Sequence, residues 1–261
     1  MSGVTATRDR TCVVLQPGYL PWLGYFEQVG RADVFVHLDD VQFDKHGWRN
    51  RNRIKGPHGP QWLTVPVRIS GQEKPRIHEV LIDPTRTNWA AKHLKTLELN
   101  YGACPFFGWL YGDLRDILSS SWTHIVELDI ALIDLLCRKL GLACQFRRSS
   151  EMMLPEDRCD RLVEICRQLA CNQYYSGAAS RAYMDLSMFD DAGIEVSFQD
   201  YRHPTYPQRY AGFDSHLSVI DLMFHRGPDS LAVINPEPQA AAMRPGRPAC
   251  WCRACEDVRA G

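Results

Sequence analysis

The sequence predicts an α/β fold: a Rossmann-like parallel or mixed sheet with flanking helices, plus a small β-hairpin insertion near residues 43–82. Two observations lead to this fold class. The first is a strand–helix–strand unit in which the apolar runs 11–16 and 33–38 flank the amphipathic stretch "LGYFEQVGRA". The second is a similar alternation of short apolar runs and helical stretches between residues 143 and 199. Because strand–helix–strand units normally pair their strands in parallel, most of the sheet should be parallel.

The middle of the chain predicts the hairpin insertion and two helices. Residues 48–55, "WRNRNRIK", alternate strictly between two sets of side chains, as an extended segment does. One face should carry Trp48, Asn50, Asn52 and Ile54, and the other face Arg49, Arg51, Arg53 and Lys55. After a "GPHGP" turn, "QWLTVPVRIS" and "IHEVLID" have the pattern of further strands, and "WAAKHLKTLELNY" that of a helix. Residues 125–140 should form a second helix that ends at Gly141.

The second half of the chain repeats the strand–helix alternation. In order, we predict a strand in "ACQFRRSS", a helix in "RCDRLVEICRQLA", a strand in "QYYSG", a helix in "SRAYMDLSMFDDAG" and a strand in "IEVSFQ". Residues 200–216 are rich in proline and aromatic residues, and a long loop of this kind is more often functional than idle. The stretch "HLSVIDLMFHRG" should be the last helix.

Length and composition predict a single domain at residues 12–235, between a flexible N-terminus (1–11) and a disordered tail (236–261). Lys and Arg total 30 against 31 for Asp and Glu, so overall charge gives no reason to expect nucleic-acid binding. The most apolar helical stretch is interrupted by acidic residues, which argues against a membrane span, and no signal-peptide pattern precedes it. We therefore expect a cytoplasmic protein. The CxCxxC cluster in the tail lacks a nearby fourth metal ligand, so no metal site is assigned to it.

The predicted sheet brings polar residues to one edge. Ligands of open α/β sheets bind at the carboxyl ends of the strands, where the loop after the first strand would meet Asp39, Asp40 and Gln42. The basic residues of the hairpin follow closely in sequence, so this edge could position an amine or hold a metal-phosphate group. The alternative is a hairpin whose polar face is merely solvated.

Six blocks of sequence, in order from about residue 12 to 232, resemble the WbqC-like protein family. They are "LQPGYLPWLGYFEQVGRADVFVHLDDVQF", "GWRNRNRI", "QWLTVPV", "KHLKTLELNYGACPFF", "YYSGAASRAYMDLSMF" and "LSVIDLMFHRGP". The resemblance implies a role in the biosynthesis of surface polysaccharides such as O-antigen, or of specialised metabolites such as antibiotics. It also implies transfer of glycine or another aminoacyl group onto an amino sugar. The motif positions carried over to this chain include Gln16, Tyr19, Trp22, Tyr25, Asp39, Asp40, Gln42, Trp48, Asn50, Arg51, Asn52, Tyr175, Ser176, Ser218 and Asp221.

The first loop is also similar to the "HxGH" arrangement of nucleotidylyltransferases, in which loop imidazoles contact the phosphates of ATP. Here Trp22 and Tyr25 stand at the two histidine positions, and neither can supply a protonated imidazole. ATP activation would then depend on basic residues of the hairpin. Alternatively, the aromatic rings of the loop stack on a sugar or a base, or only pack between helix and sheet.

The leading hypothesis is a transferase that attaches an acyl or aminoacyl group to an amine. Asp39 or Asp40 would deprotonate the amine, with His93, His216 and Asp221 as other candidate bases. The expected substrate is a small molecule, such as a nucleotide-linked amino sugar, and an acyl or peptidyl carrier protein is a candidate donor. The residues expected to contact substrate are Gln16, Tyr19, Trp22, Tyr25, Gln42, Trp48, Asn50, Arg51, Asn52, Arg53, Tyr175, Ser176 and Ser218.

Three questions stay open at this level. ATP and a divalent metal are both candidate cofactors. A glycosyltransferase-like enzyme, with the acidic pair holding a metal on a pyrophosphate, is the first alternative function. A non-catalytic scaffold protein of a biosynthetic complex is the second.

Overall fold

A computed structural model describes residues 9–69 and 74–235 of the chain. Its centre is a sheet of five strands, in the spatial order β7-β2-β1-β8-β9, and every neighbouring pair is parallel. These strands are β1 (Thr11–Leu15), β2 (Val34–His37), β7 (Gln145–Arg148), β8 (Gln173–Ser176) and β9 (Glu195–Phe198). The sheet is therefore parallel throughout, and the predicted α/β Rossmann-like class is confirmed. Most of the expected flexible N-terminus and all of the expected tail lie outside the described residues.

Two small antiparallel pairs form the insertion between β2 and the next helix. They are β3 (Arg51–Gly56) with β4 (Gly59–Thr64), and β5 (Val67–Arg68) with β6 (Leu81–Ile82). The helices are α1 (Leu23–Arg31), α2 (Trp89–Tyr101), α3 (Phe107–Ser119), α4 (Ile125–Leu140), α5 (Arg158–Gln168), α6 (Leu186–Asp191), α7 (Val219–Arg226) and α8 (Ser230–Ile234). As predicted, Gly141 ends α4, and its φ of 71° is one that glycine adopts without a steric penalty.

Alternate residues of the central strands pack into two different cores. Val13 and Phe35 face a large core that includes side chains of α1, α2, α3, α4 and α7. Cys12 and Val34 face a smaller core on the other side, which includes side chains of α5 and α6. Because both faces of the strands are covered, β1 and β2 are continuously apolar, as expected for a parallel sheet.

The hairpin differs from the alternation expected for residues 48–55. The strand begins at Arg51, so Trp48 and Arg49 belong to the preceding turn, where Trp48 is exposed. Within the strand, Asn52 and Ile54 are buried as expected, but Lys55 is buried as well. Its ammonium group pairs with Asp214 and donates to the carbonyl oxygens of residues 211 and 212. Loop 200–216 covers this part of the hairpin, so the Lys55 side chain is shielded from the solvent that the alternating pattern led us to expect around it.

Two helical segments also differ from the prediction. The single helix expected in "SRAYMDLSMFDDAG" is a 3-10 turn (Ala178–Ala182) followed by the short α6. The helix α3 was not predicted at all, although its buried residues Leu110, Leu114 and Leu118 recur every four positions. Within the described ranges, no helix combines the length and apolar character that a membrane crossing requires.

Candidate functional site

A cavity of about 510 Å³ opens at the carboxyl end of β1. The order of the five strands reverses direction between β1 and β8, which is the point where open α/β sheets bind ligands. Loops that follow β1, β2 and β8 contribute to the wall, together with the hairpin and the end of loop 200–216. The lining residues are Val14, Leu15, Gln16, Gly18, Pro21, Trp22, Tyr25, Gln28, Leu38, Trp48, Arg49, Asn52, Tyr183 and His216.

The loop after β1 is shaped by close contacts that need glycine. A Cβ on Gly18 would lie 2.8 Å from the carbonyl oxygen of Trp48, and the next residue, Tyr19, donates its N–H to that same oxygen. A Cβ on Gly24 would lie 2.3 Å from the indole ring of Trp22. These contacts join the loop to the hairpin and fix the Trp22 ring over the start of α1.

Loop 200–216 places an aromatic cluster on Trp22. The ring of His216 stacks on the indole with centroids 5.2 Å apart, and Tyr201 meets it edge-on at 5.6 Å. His203 lies 5.1 Å from His216, and burial lowers the pKa of its imidazole. This stack therefore explains the aromatic residue at position 22 and contributes Trp22 and His216 to one side of the cavity.

His216 is the exposed imidazole of the cavity wall. It has a φ of 57°, a left-handed conformation that non-glycine residues rarely adopt and that occurs disproportionately at functional sites. Its Nδ1 lies 2.8 Å from Ser215 Oγ, and its carbonyl oxygen accepts from Arg53 at 3.5 Å. The backbone of Ser218 continues this link, since its N–H donates to Arg53 and the next N–H donates to Pro21. Hairpin and first loop together hold the imidazole at the cavity.

The hairpin adds an aromatic and basic rim. Trp48 lines the cavity and stacks on Trp62 with centroids 5.4 Å apart, and both rings are more than two-fifths exposed. The guanidinium of Arg51 lies over Trp62 at 4.6 Å, and that of Arg53 lies 5.6 Å from Trp48. Guanidinium groups that stack on exposed aromatic rings can donate hydrogen bonds to phosphate groups and keep their stacking.

The acidic pair has internal partners. Asp39 is fully buried and accepts hydrogen bonds from Arg148 Nε at 2.8 Å, from Ser149 Oγ and from the N–H and Oγ of Ser150. Asp40 accepts from Arg161 Nη1 at 2.6 Å and from Ser149. Both residues do follow β2 at the carboxyl edge, but neither lines the cavity. Both carboxylates have partners within the protein and lie outside the cavity wall, so deprotonation of a substrate amine by one of them stays a prediction that this geometry does not favour.

The other predicted catalytic residues also lie away from the cavity. Asp221 is fully buried and accepts from Tyr101, Tyr206 and Gln208, while burial raises the pKa of its carboxyl group. His93 hydrogen-bonds to the hydroxyl group of Tyr19, and burial lowers its pKa to about 4. Both groups stabilise the packing of α2 and α7, so the catalytic roles expected for them are not supported.

Gln42 and several predicted substrate contacts are also outside the cavity wall. Gln42 is exposed and its backbone bridges to that of Arg76. Asn50 donates to the carbonyl oxygen of Val65, and Ser218 caps α7. The structure thus assigns local structural contacts to Tyr19, Asn50, Tyr175, Ser176 and Ser218, whose side chains bond within the protein or are buried away from the cavity.

Five predicted contacts and the candidate base His216 come together at the cavity, together with wall residues that the predicted site did not include. The five contacts are Gln16, Trp22, Tyr25, Trp48 and Asn52. The residues not included are Val14, Leu15, Gly18, Pro21, Gln28, Leu38, Arg49 and Tyr183. Arg49 was predicted on the basic face of the hairpin, for which phosphate binding and simple solvation were both left open. The spacing of Gln28 three residues after Tyr25 on α1 was the one available sign that it shares the face of Tyr25.

The donor set does not favour a divalent metal at the acidic pair. Among residues 9–69 and 74–235, no group of three or more His, Cys, Asp or Glu side chains is arranged to hold a metal ion. Asp39 and Asp40 each pair with an arginine instead. The CxCxxC cluster lies outside the described residues.

Comparisons with known proteins agree with the resemblance read from the sequence. The model of the WbqC-like protein family matches residues 16–233. The uncharacterized protein Rv1507c of Mycobacterium tuberculosis (strain ATCC 25618 / H37Rv) is 37% identical over 219 residues, which span 83% of this chain and 94% of that protein. No solved structure matches the chain significantly. The family match covers residues 16–233, which include four of the five strands of the sheet and every residue of the cavity wall except Val14 and Leu15, so this chain belongs to the WbqC-like protein family.

Proposed function

We propose that this protein is a cytoplasmic transferase that attaches an acyl or aminoacyl group, such as glycyl, to the amine of an amino sugar or a related biosynthetic intermediate. The observation that carries the proposal is the position of His216. Its imidazole ring is exposed at the wall of the cavity beside the carboxyl end of β1, and its backbone has a strained, left-handed conformation. A general base for amine attack must reach the substrate amine, and the imidazole ring of His216 is exposed at the cavity wall.

The reaction is a displacement at the acyl carbonyl carbon. The amine nitrogen forms a bond to that carbon, and the bond to the leaving thiol or alcohol of an activated donor breaks. With Nδ1 of His216 donating to Ser215, Nε2 takes the amine proton and then delivers it to the departing sulfur or oxygen. Asp39 and Asp40 hold the loop after β2 in this scheme and take no proton.

The rim supports a nucleotide-linked acceptor. Trp48 and Trp62 offer exposed faces for a base or sugar, and Arg51 and Arg53 carry positive charge on those rings, beside the cavity mouth. A base stacked on an aromatic ring contributes about 1–3 kcal/mol to binding. A diphosphate handle on the rim would leave the amine directed towards His216. The acyl donor would arrive on a carrier protein or as a small activated ester.

The test is an acyl-transfer assay that follows product mass. Purified protein is incubated with nucleotide-linked amino sugars and with acyl or aminoacyl thioesters, free and carrier-bound, and each amide product is measured by mass spectrometry. His216→Gln should lower kcat by about a hundredfold or more. The matched control is His58→Gln, on the exposed turn of the hairpin, which should leave kcat unchanged.

Two results would overturn the proposal. One is wild-type protein that forms no amide with any of these donors, or that releases a nucleoside diphosphate from the acceptor instead, as a glycosyltransferase would. The other is a folded His216→Gln variant with wild-type kcat. A protein that binds the acceptor but transforms nothing would favour the scaffold alternative.

A further inference from the structure

Three residues of the cavity wall carry polar atoms without a hydrogen-bond partner in the described structure. They are Tyr25 Oη, Gln28 Oε1 and Arg49 Nε. Tyr25 is 6% exposed and Gln28 is 4% exposed, so water on the open surface does not compensate for the missing partners. An unpaired buried polar group costs about 1–3 kcal/mol, which a ligand with matching groups can remove. The three atoms therefore point to a ligand with its own donors and acceptors.

One edge of the Arg49 guanidinium group is hydrogen-bonded within the protein, whereas the Nε atom on the other edge has no partner in the described structure. Its Nη1 donates to the carbonyl oxygen of Pro17 at 2.8 Å, which fixes the guanidinium plane beneath the first loop. The unpartnered Nε lies on the opposite edge of the group, the Nε–Nη2 edge, which binds carboxylates in a forked arrangement. The side chain is thus oriented by the protein, while its Nε has no hydrogen-bond partner in the described structure.

The charge balance favours one negative charge on the ligand. Arg49 is the only lysine or arginine in the described wall of the cavity. Two acids act electrostatically on Arg49, the exposed Asp44 and Asp129 of α4. Asp129 is fully buried and neither of its oxygens has a hydrogen-bond partner in the described structure, so it makes no direct bond to Arg49. Because burial raises the pKa of Asp129 well above its ordinary value, against the opposing effect of Arg49, this acid compensates the guanidinium charge less than a freely ionised carboxylate would.

We propose that the cavity contains a carboxylate subsite, in which Arg49 forks the carboxylate, the Tyr25 hydroxyl group donates to it, and Gln28 accepts from a neighbouring amino or hydroxyl group of the same ligand. A carboxylate needs one positive charge, which the cavity supplies, whereas a phosphate dianion needs more. This inference rests on the proposed function for the statement that the ligand is the acceptor amine. The acceptor is then an amine that also bears a carboxylate, as in an amino acid or an amino-sugar acid.

The test compares three probes that differ by one group each. Alanine carries both an amine and a carboxylate, alaninamide lacks the carboxylate, and propanoate lacks the amine. Calorimetric titration should show that alanine binds at least about tenfold more tightly than alaninamide, since a charge-assisted hydrogen bond contributes about 1.5–3 kcal/mol. Propanoate should bind between the two. Equal binding of alanine and alaninamide would overturn the subsite.

Variants test whether Arg49 causes the preference for alanine over alaninamide. Arg49→Gln should abolish the preference for alanine, and Arg49→Lys, which keeps the charge without the forked edge, should reduce it. Asp129→Asn, which imitates the neutral acid, should keep it, and so should Arg86→Gln, an exposed control away from the cavity. If Arg49→Gln does not fold, the Arg49 Nε–H resonance of labelled wild-type protein serves instead: it should shift on addition of alanine and stay fixed with alaninamide. A preference that survives in a folded Arg49→Gln variant would refute the assignment.

Different experimental results would contradict the proposed function and the carboxylate subsite. If carboxylates bind through Arg49 but no amide forms in the transfer assay, the proposed function is wrong and the subsite stands. If amides form equally well on acceptors with and without a carboxylate, the subsite is wrong and the proposed function stands.

Discussion

At the scale of single residues, burial decides which histidines can exchange protons. His37 lies on β2 between the rings of Phe35 and Phe146, and its Nδ1 has no hydrogen-bond partner in the described structure. Burial lowers its pKa to about 4, and His93 is lowered to about 4 for the same reason. Both are neutral in the folded protein at pH values where free histidine takes a proton. His216, in contrast, is exposed at the cavity wall.

These two histidines predict how stability depends on pH. The unfolded chain protonates them near pH 6.5, whereas the folded protein resists until about pH 4, so the unfolded state binds more protons between these values. The free energy of unfolding should be highest above pH 6.5 and fall as the pH is lowered towards 4, by up to about 3 kcal/mol for each histidine. Urea denaturation at a series of pH values measures this change.

His37→Phe isolates one of the two contributions. The phenylalanine ring can take the place of the imidazole against Phe146 and does not titrate, so the variant should lose part of the decline in stability between pH 6.5 and 4. His58→Gln, at an exposed turn, should keep the wild-type decline. An unchanged pH dependence in His37→Phe would show that His37 does not titrate as its burial requires.

At the scale of elements, the acidic pair joins neighbouring strand ends. Arg148 closes β7 and bonds to Asp39 just beyond β2, while the serines that follow β7 bond to both acids. Arg161 of α5 holds Asp40 in the same way. This network fixes the loop after β2, whose first residue, Leu38, forms part of the cavity wall. Its contribution to function is therefore one of positioning.

Arg148→Gln tests this role. The substitution leaves the buried Asp39 charge without its cation and should lower the free energy of unfolding by roughly 2–4 kcal/mol. Arg147→Gln, one residue earlier on the same strand, should cost less than about 1 kcal/mol because Arg147 Nη1 bonds only to a backbone carbonyl. In the transfer assay, the folded fraction of Asp39→Asn should keep near-normal kcat. A stable Asp39→Asn variant without activity would instead restore Asp39 as the base.

The sequence predicts elements better than it predicts the state of their polar side chains. The βαβ unit and the second strand–helix series were predictable because apolar runs and helical periodicity depend on local residues. The burial of Lys55 could not be predicted because the covering loop 200–216 is about 150 residues away in sequence. The contact of Arg49 with Pro17 of the first loop was likewise not visible in the local pattern. The pairing of Asp39 with Arg148, which are 109 residues apart, is hidden for the same reason. Residues on the first loop were found, since that loop follows β1 directly.

At the scale of the whole molecule, the functional groups come together where the strand order reverses between β1 and β8. Because the strand order reverses between β1 and β8, the loops that follow these two strands diverge, and the cavity lies between the two loops. Loop 200–216 then crosses from β9 to α7 and brings His216 over this space, and Lys55 holds the loop through Asp214. Each part of the site thus depends on a different segment, and only the complete fold assembles it.

The two cores share the same strands, so the molecule should unfold as one unit. Phe189 of α6 is fully buried in the smaller core, where it stacks on Tyr174. Phe189→Ala should lower the free energy of unfolding by about 3–5 kcal/mol. The described tryptophans that contact a core, Trp22, Trp89, Trp109 and Trp122, all pack against the larger core on the other face of the sheet.

Tryptophan fluorescence therefore reports on the face opposite to the substitution. If the sheet couples the two cores, urea transitions followed by fluorescence and by far-UV circular dichroism should coincide in the Phe189→Ala variant, and both should shift to lower urea by the same amount. Leu99→Ala, at a position 64% exposed on α2, should leave both transitions in place. A fluorescence transition that stays at the wild-type midpoint while the dichroism transition moves would mean that the larger core, with the cavity wall, folds independently of the smaller one.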